Sequence, residues 1–240
     1  MTSETPLANL SGRRLKNGVR RLLESDSDPE QIFSSLEALR PRQAVNPLFA
    51  CFYADSPLVK WRAVAAMGQI VSGLAARDME SARVIMRRLM WNLNDESGGI
   101  GWGSPEAMGE ITAQNHRLAG EYGRIVASYV CREQNFLEHP GLQRGSIWAV
   151  GRLAEVHAEL VADTAEDLRL FLASDDPFHR GYAARALGLL QYRPACPELE
   201  RLRSDQAEIT IFRNLKLAAT NVSSLAGEAL AAAANGEKPC

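Results

Sequence analysis

The sequence predicts an all-α protein, a right-handed α-solenoid of four to five helix pairs with capping helices. Three observations predict this fold. A short pattern of small and apolar residues recurs four times along the 240 residues. Residues that favour turns and helix starts precede the copies. No alternation of apolar and polar residues lasts long enough to indicate a fold built from strands.

The repeated pattern is centred on four glycines that are 41, 42 and 37 residues apart. Alanine stands two positions before each glycine, and an apolar residue stands one position before and two positions after it. The glycines are Gly68, Gly109, Gly151 and Gly188, and the alanines are Ala66, Ala107, Ala149 and Ala186. This spacing defines one face of a helix, with small residues where another helix must approach closely.

The remaining elements follow in chain order. Residues 1–9 are predicted to be a flexible tail, and a basic helix over residues 10–23 precedes a degenerate first pair over residues 29–53. Motif helices are predicted near residues 57–72, 104–115, 142–155 and 177–190, and they alternate with second helices over residues 81–94, 121–137, 164–174 and 197–204. One long or broken helix over residues 208–234 would cap the last repeat, followed by a tail over 235–240. Residues 10–234 would then form a single domain.

Turn and cap residues support these helix starts. Asp55 and Asp176 each stand just before a proline, at Pro57 and Pro177. A carboxylate there can accept hydrogen bonds from free backbone N–H groups, and proline suits the first helical turn.

These segments resemble the HEAT-like repeat family, including its short form named after phycobilisome lyases. Residues 55–69 and 176–189 match the family pattern best, and the resemblance covers about residues 26–205. The helix-start arginine of the pattern stands at Arg62 and Arg180, is shifted at Arg144, and is missing near Gly103. The resemblance implies that the motif helix of each pair lines a concave surface.

The candidate site follows from that arrangement. Positions three before and one after each motif glycine would point away from the core, into one groove. Trp102, from the glycine-rich loop over residues 97–104, could fold over the same groove. The predicted partner-binding groove consists of Trp102, Glu106, Glu110, Trp148, Arg152 and Arg185. Tryptophan and arginine dominate binding hot spots, so the predicted function is a non-enzymatic adaptor for a protein segment.

Several alternatives stay open for individual residues. Glu106 and Glu110 could form a cation or metal site with His116, or Glu106 could suit the helix dipole while Glu110 pairs with Arg152. The glycine-rich loop could hold a phosphate, or its Trp102 could fill a gap between helices together with Trp91. No catalytic residue, metal or cofactor is predicted, although the lyase resemblance implies a small-molecule ligand as an alternative.

Charge does not favour nucleic acid as the partner. Arg83 and Arg87 share a helix face, and further basic residues stand near the N-terminus, but the chain has a net charge of -2. A solvated outer face is the favoured interpretation of this stripe.

The compartment is predicted from the absence of targeting signals. No apolar run reaches the roughly 18 residues of a membrane-spanning helix, so no membrane partner is expected. The polar N-terminus lacks a signal-peptide pattern, and four widely spaced cysteines do not form a disulfide framework. A cytoplasmic location is the expectation.

Overall fold

The computed structural model describes residues 6–94 and 101–235, and its helices form an all-α solenoid, as predicted. The helices of the described part are α1 (Gly12–Glu24), α2 (Pro29–Glu37), α3 (Pro41–Cys51), α4 (Pro57–Ala75), α5 (Met79–Leu93), α6 (Ser104–Gln114), α7 (His116–Ser128), α8 (Pro140–Ala154), α9 (Ala165–Leu170), α10 (Pro177–Leu189), α11 (Cys196–Leu202) and α12 (Val222–Asn235). Within those residues, no helix is long and apolar enough to cross a membrane.

Caps fix where several helices begin. The Asp28 carboxylate accepts a hydrogen bond from the Glu30 amide at 2.8 Å, one residue after Pro29 starts α2. The Asp176 carboxylate does the same for the Phe178 amide at 2.9 Å, at the start of α10. Each bond satisfies an N–H group that the first helical turn leaves without a partner.

The motif helices α4, α6, α8 and α10 pack side by side in one row, which we call the inner row. A Cβ atom on Gly109 would lie 2.6 Å from the Cβ of Ala149, and one on Gly188 would lie 2.6 Å from the Cα of Ala229. The repeated small residues therefore allow neighbouring backbones to approach closely. Because Ala229 lies on α12, that helix is the last member of the inner row.

The region after α11 differs from the prediction. Residues 208–221 form an antiparallel hairpin of strands β1 (Glu208–Arg213) and β2 (Lys216–Asn221), and only the last part, α12, is helical. Asn214 and Leu215 make the turn with φ values of 52° and 61°. Positive φ at both turn residues matches the right-handed twist of the paired strands. The long or broken helix predicted over 208–234 is wrong for residues 208–221, because β1 buries Ile209, Ile211 and Phe212 against the inner row as an extended segment.

Smaller differences occur at helix ends and at the N-terminus. The helix predicted over 121–137 begins earlier, at His116, where the Asn115 side chain caps it, and it ends at Ser128. Leu7–Asn9 form one 3-10 turn, and a Cβ on Gly18 would lie 2.6 Å from the Leu7 side chain, so this part of the predicted tail packs on α1. Residues 1–5, 95–100 and 236–240, which include parts of both predicted tails and of the glycine-rich loop, lie outside the described residues.

Candidate functional site

The inner row carries most of the predicted groove residues, of which three are buried and the two arginines are partly exposed. Glu106, Glu110 and Trp148 are 3%, 6% and 3% exposed, and Arg152 and Arg185 lie beside them at the following positions of the row. The hairpin lies over part of this surface. We call the surface formed by Trp61, Glu110, Trp148, Arg152 and Arg185 the inner face.

Both glutamates are held by cations of neighbouring helices. The Lys60 ammonium donates to a Glu106 carboxylate oxygen at 2.6 Å. The Arg152 guanidinium donates to both oxygens of Glu110, at 2.9 and 3.3 Å. A Cβ on Gly145 would lie 2.5 Å from the Glu106 carboxylate, so the backbone of α8 closes the other side of that group.

The Glu110–Arg152 ion pair matches the pairing alternative for Glu110, whereas Glu106, which that alternative assigned to the helix dipole, is also paired, with Lys60. The charges of the two glutamates are already balanced by Lys60 and Arg152, which removes the reason for a cation between them. In the described part of the chain, no group of three or more histidine, cysteine, aspartate or glutamate residues is arranged to hold a metal ion. His116 is exposed at the start of α7.

The arginines continue the charge network along the inner face. Arg152 also donates to Glu155 at 3.0 Å, and Arg185 pairs with the same glutamate. Burial opposes the charge of Arg152, but hydrogen bonds and charge attraction to Glu110 and Glu155 together outweigh it and raise the pKa of Arg152. Burial lowers the pKa of Arg185, an effect that Glu155 opposes and that the nearby Arg213 reinforces. Arg185 is thus the less well compensated of the two cations.

Three aromatic rings join the inner row to the hairpin. The rings of Trp61 on α4 and Trp148 on α8 lie 4.6 Å apart, and Phe212 of β1 stacks on Trp61 at 5.4 Å. Sequence reasoning missed Trp61 and Phe212. Trp61 lies two helical turns before Gly68, on the same helix face as the motif, which is a signal that could have identified it.

The hairpin is held on the inner row by side-chain and main-chain contacts. A Cβ on Gly181 would lie 2.4 Å from the Ile209 side chain, so this glycine provides the space into which Ile209 packs. The Tyr182 hydroxyl donates to the Thr210 carbonyl at 2.8 Å. At the end of β1, Arg213 pairs with Glu228 of α12 at 3.1 Å.

Trp102 lies at a different place from the rest of the predicted groove. Its ring makes an edge contact with His139 at 5.1 Å and packs where a Cβ on Gly141 would stand, at the start of α8. That position is about two helical turns from Trp148, so the expectation that Trp102 covers the groove beside Trp148 is wrong. The alternative that Trp91 fills a gap between helices is also wrong, because its side chain is 73% exposed.

The basic stripe on the outer helices is paired with carboxylates. Arg83 donates to both oxygens of Glu121 at 2.8 and 2.6 Å, and Arg87 pairs with Glu80 at 2.6 Å. The carboxylates neutralise these two arginines locally, which reduces the potential that would attract a phosphate backbone.

Comparisons with known proteins identify the class of fold. No family model matches the sequence. An uncharacterised protein of Archaeoglobus fulgidus is 25% identical over 193 residues, which cover 80% of this chain and 96% of that protein. An engineered protein of known structure has a TM-score of 0.58 at 18% identity, covering 96% of this chain and 94% of that one.

Designed armadillo repeat proteins are similar to the same extent. One has a TM-score of 0.55 at 19% identity, covering 95% of this chain and 97% of its own. Another, solved in complex with the peptide (KR)4, has a TM-score of 0.55 at 19% identity, covering 96% of this chain and 100% of its own. At these identities the likeness shows the fold alone. This chain therefore has an armadillo-type helical repeat fold.

Proposed function

We propose that this chain is a non-enzymatic HEAT-like repeat scaffold that binds an extended protein segment on its inner face. The observation that carries the proposal is the position of β1. This strand lies in extended conformation on the inner row, with Phe212 stacked on Trp61 and its Thr210 carbonyl bonded to Tyr182. A surface that accepts one extended segment of its own chain has the shape and the polar groups to accept another.

The inner face offers the two kinds of contact that peptide recognition uses. Trp61 and Trp148 provide flat apolar surface for an anchor side chain, and the Tyr182 hydroxyl provides a donor for a main-chain carbonyl. Arg152 and Arg185, with Glu110, would fix the register of the segment through its charged side chains. Trp102 and Glu106 from the predicted groove would border the segment rather than anchor it, since each packs against α8.

Binding would require the partner segment to take the place of the hairpin. A two-stranded hairpin is marginally stable by itself in water, so it depends on its contacts with the inner row. Leu215 holds a left-handed backbone conformation, with φ of 61°. That conformation costs about 1–2 kcal/mol for a residue other than glycine, and release of the hairpin would recover it.

The fold comparison supports this proposal at the level of the scaffold. A designed armadillo repeat protein of similar fold was solved with a bound peptide. The phycobilisome-lyase-type resemblance and the cytoplasmic location stay predictions from the sequence. Nucleic-acid binding is not part of the proposal because Arg83 and Arg87 are already paired with carboxylates.

Site-specific photo-crosslinking in the native host tests the proposal. A photoreactive residue replaces either Leu189, which is 37% exposed and lines a cavity beside the hairpin, or Leu170, which is 53% exposed on the outer helix α9. The two leucines are matched in type and similar in exposure. We expect one protein to crosslink from position 189 and not from position 170, with the crosslinked peptide mapping to one segment of it. Equal crosslinking from both positions, or none from position 189, would contradict binding at the inner face.

A further inference from the structure

A cavity of about 210 Å³ lies between the inner row and the hairpin turn, and its lining is basic. It adjoins a second cavity of about 460 Å³, and both are lined by Arg185 and Arg213. The smaller volume corresponds to roughly seven water molecules at about 30 Å³ each, which suits a small ion or a small organic acid.

The residues that line the smaller cavity leave one positive charge in excess. The charged ones are Glu110, Arg152, Glu155, Arg185 and Arg213, three guanidinium groups against two carboxylates. Arg152 donates hydrogen bonds to both Glu110 and Glu155, and Arg185 pairs with Glu155 as well.

The positive charge of Arg213 is only weakly neutralised by its ion pair. Its carboxylate partner, Glu228, has a side chain that is 56% exposed, so solvent screens this ion pair. The lowered pKa of Arg185, caused first by burial and then in part by Arg213, agrees with an excess of positive charge at this place.

Two donors at this cavity are buried and have no acceptor among the described residues. They are the indole Nε1 of Trp148 and the Nε of Arg213. Trp148 as a whole is 3% exposed, and both residues line the cavity. Buried N–H groups of this kind are paired in the great majority of protein structures, so an acceptor that belongs to a ligand would complete them.

We propose that this cavity is a binding site for an oxyanion group, a carboxylate or a phosphate, carried by a small molecule. The oxygens accept hydrogen bonds from Trp148 Nε1, Arg213 Nε and the Arg185 guanidinium. Planar guanidinium groups match both kinds of oxyanion, and hydrogen bonds between charged groups are stronger than those between neutral groups. Arg213 belongs to the hairpin and the other two donors to the inner row, so the site is complete only when the hairpin is seated. This inference does not rest on the proposed function, and an anion bound here would compete with a segment that displaces the hairpin.

Titration of 15N-labelled protein by NMR tests the site, because each of the four tryptophans contributes one indole N–H signal. The signal of Trp148 is assigned as the one lost in Trp148→Phe. Sodium phosphate and sodium succinate are added separately to about 10 mM, at constant ionic strength. We expect a saturable shift of the Trp148 signal with at least one of them. Saturation with phosphate alone identifies a phosphoryl ligand, and saturation with succinate alone identifies a carboxylate ligand.

Variants separate this site from general charge effects. Arg213→Gln and Arg185→Gln should each weaken binding by at least about tenfold, because each removes donors to a charged group. Arg124→Gln is the matched control, since Arg124 pairs with Asp163 in an exposed ion pair whose side chains are 71% and 68% exposed, and it should bind as the wild type does. Arg185→Gln leaves the hairpin sequence intact, so the comparison holds even where Arg213→Gln unseats the hairpin. No saturable shift with either anion, or unchanged affinity in Arg185→Gln, would overturn the proposal.

Discussion

Truncation of Phe212 should release the hairpin without unfolding the solenoid. Phe212 is 6% exposed and stacks on Trp61 at 5.4 Å. Burial of Ile209, Ile211 and Phe212 contributes about 1.5–3 kcal/mol for each side chain, and truncation of a buried phenylalanine costs about 3–5 kcal/mol. Phe212→Ala therefore removes about 3 kcal/mol from the docking free energy of the hairpin, which corresponds to about a hundredfold change in its equilibrium.

Native-state hydrogen exchange measures this effect residue by residue. Amides of residues 208–221 should exchange about a hundredfold faster in Phe212→Ala, whereas amides of α6 and α8 should keep their rates. Thr210→Ala is the control, because this exposed side chain belongs to the same strand and its carbonyl remains available to Tyr182. Its exchange should rise by less than about tenfold. An equal increase in α6 and α8 would show that the hairpin unfolds only with the whole domain, which would contradict its separate release.

Two further predictions concern packing and pH. Gly109→Val should lower the free energy of unfolding by about 2–3 kcal/mol, because its Cβ would lie 2.6 Å from that of Ala149. Gly120→Ala, in an exposed part of α7 where a Cβ would meet nothing within 4 Å, should raise the free energy of unfolding by about 0.5–1 kcal/mol. Urea unfolding measures both variants, and equal effects would contradict the close approach of α6 and α8. Burial raises the pKa of Cys51 to about 11 and of Cys131 to about 12, so the folded state favours the neutral thiols and stability should fall as pH rises from about 9 to about 12. Unfolding free energies that stay constant over this range would contradict the burial of the two thiols, and serine variants should reduce the slope.

The repeated small residues made the solenoid predictable from sequence. Small residues recur at repeat positions such as Gly109, Ala149 and Gly188 because successive helices of the inner row approach each other closely. Such a requirement leaves the same residue type at the same spacing in every repeat, and therefore a periodic signal.

The sequence of the hairpin indicates its strands only weakly, because the hairpin is stabilised mainly by contacts with the inner row. Ile209 and Ile211 alternate with polar residues, which is typical of a strand, but β2 contains Leu217, Ala218 and Ala219, residues that favour a helix. The turn has leucine where glycine is usual, so the hairpin turn pattern was absent. Packing on the inner row decides the conformation, and this tertiary effect outweighs the local preference.

The sequence placed the candidate site on the motif helices, but it did not predict that a hairpin lies over part of that site. Helical periodicity, together with the resemblance to HEAT-like repeats, placed Glu110, Trp148, Arg152 and Arg185 on one face. Phe212 and the hairpin turn line the same cavity as these residues, and they lie more than twenty residues further along the chain than Arg185. The pairing of Glu110 with Arg152 followed from charge complementarity between neighbouring helices, and the structure gives it a distance of 2.9 Å.

If the inner face binds a protein segment in place of the hairpin, release of the hairpin should raise the yield of the crosslinked partner. The photoreactive residue at position 189 is combined with Phe212→Ala or with Thr210→Ala. We expect a severalfold higher yield of the same crosslinked partner with Phe212→Ala, and an unchanged yield with Thr210→Ala. A yield that stays the same or falls when the hairpin is released would show that the partner does not use the surface beneath it.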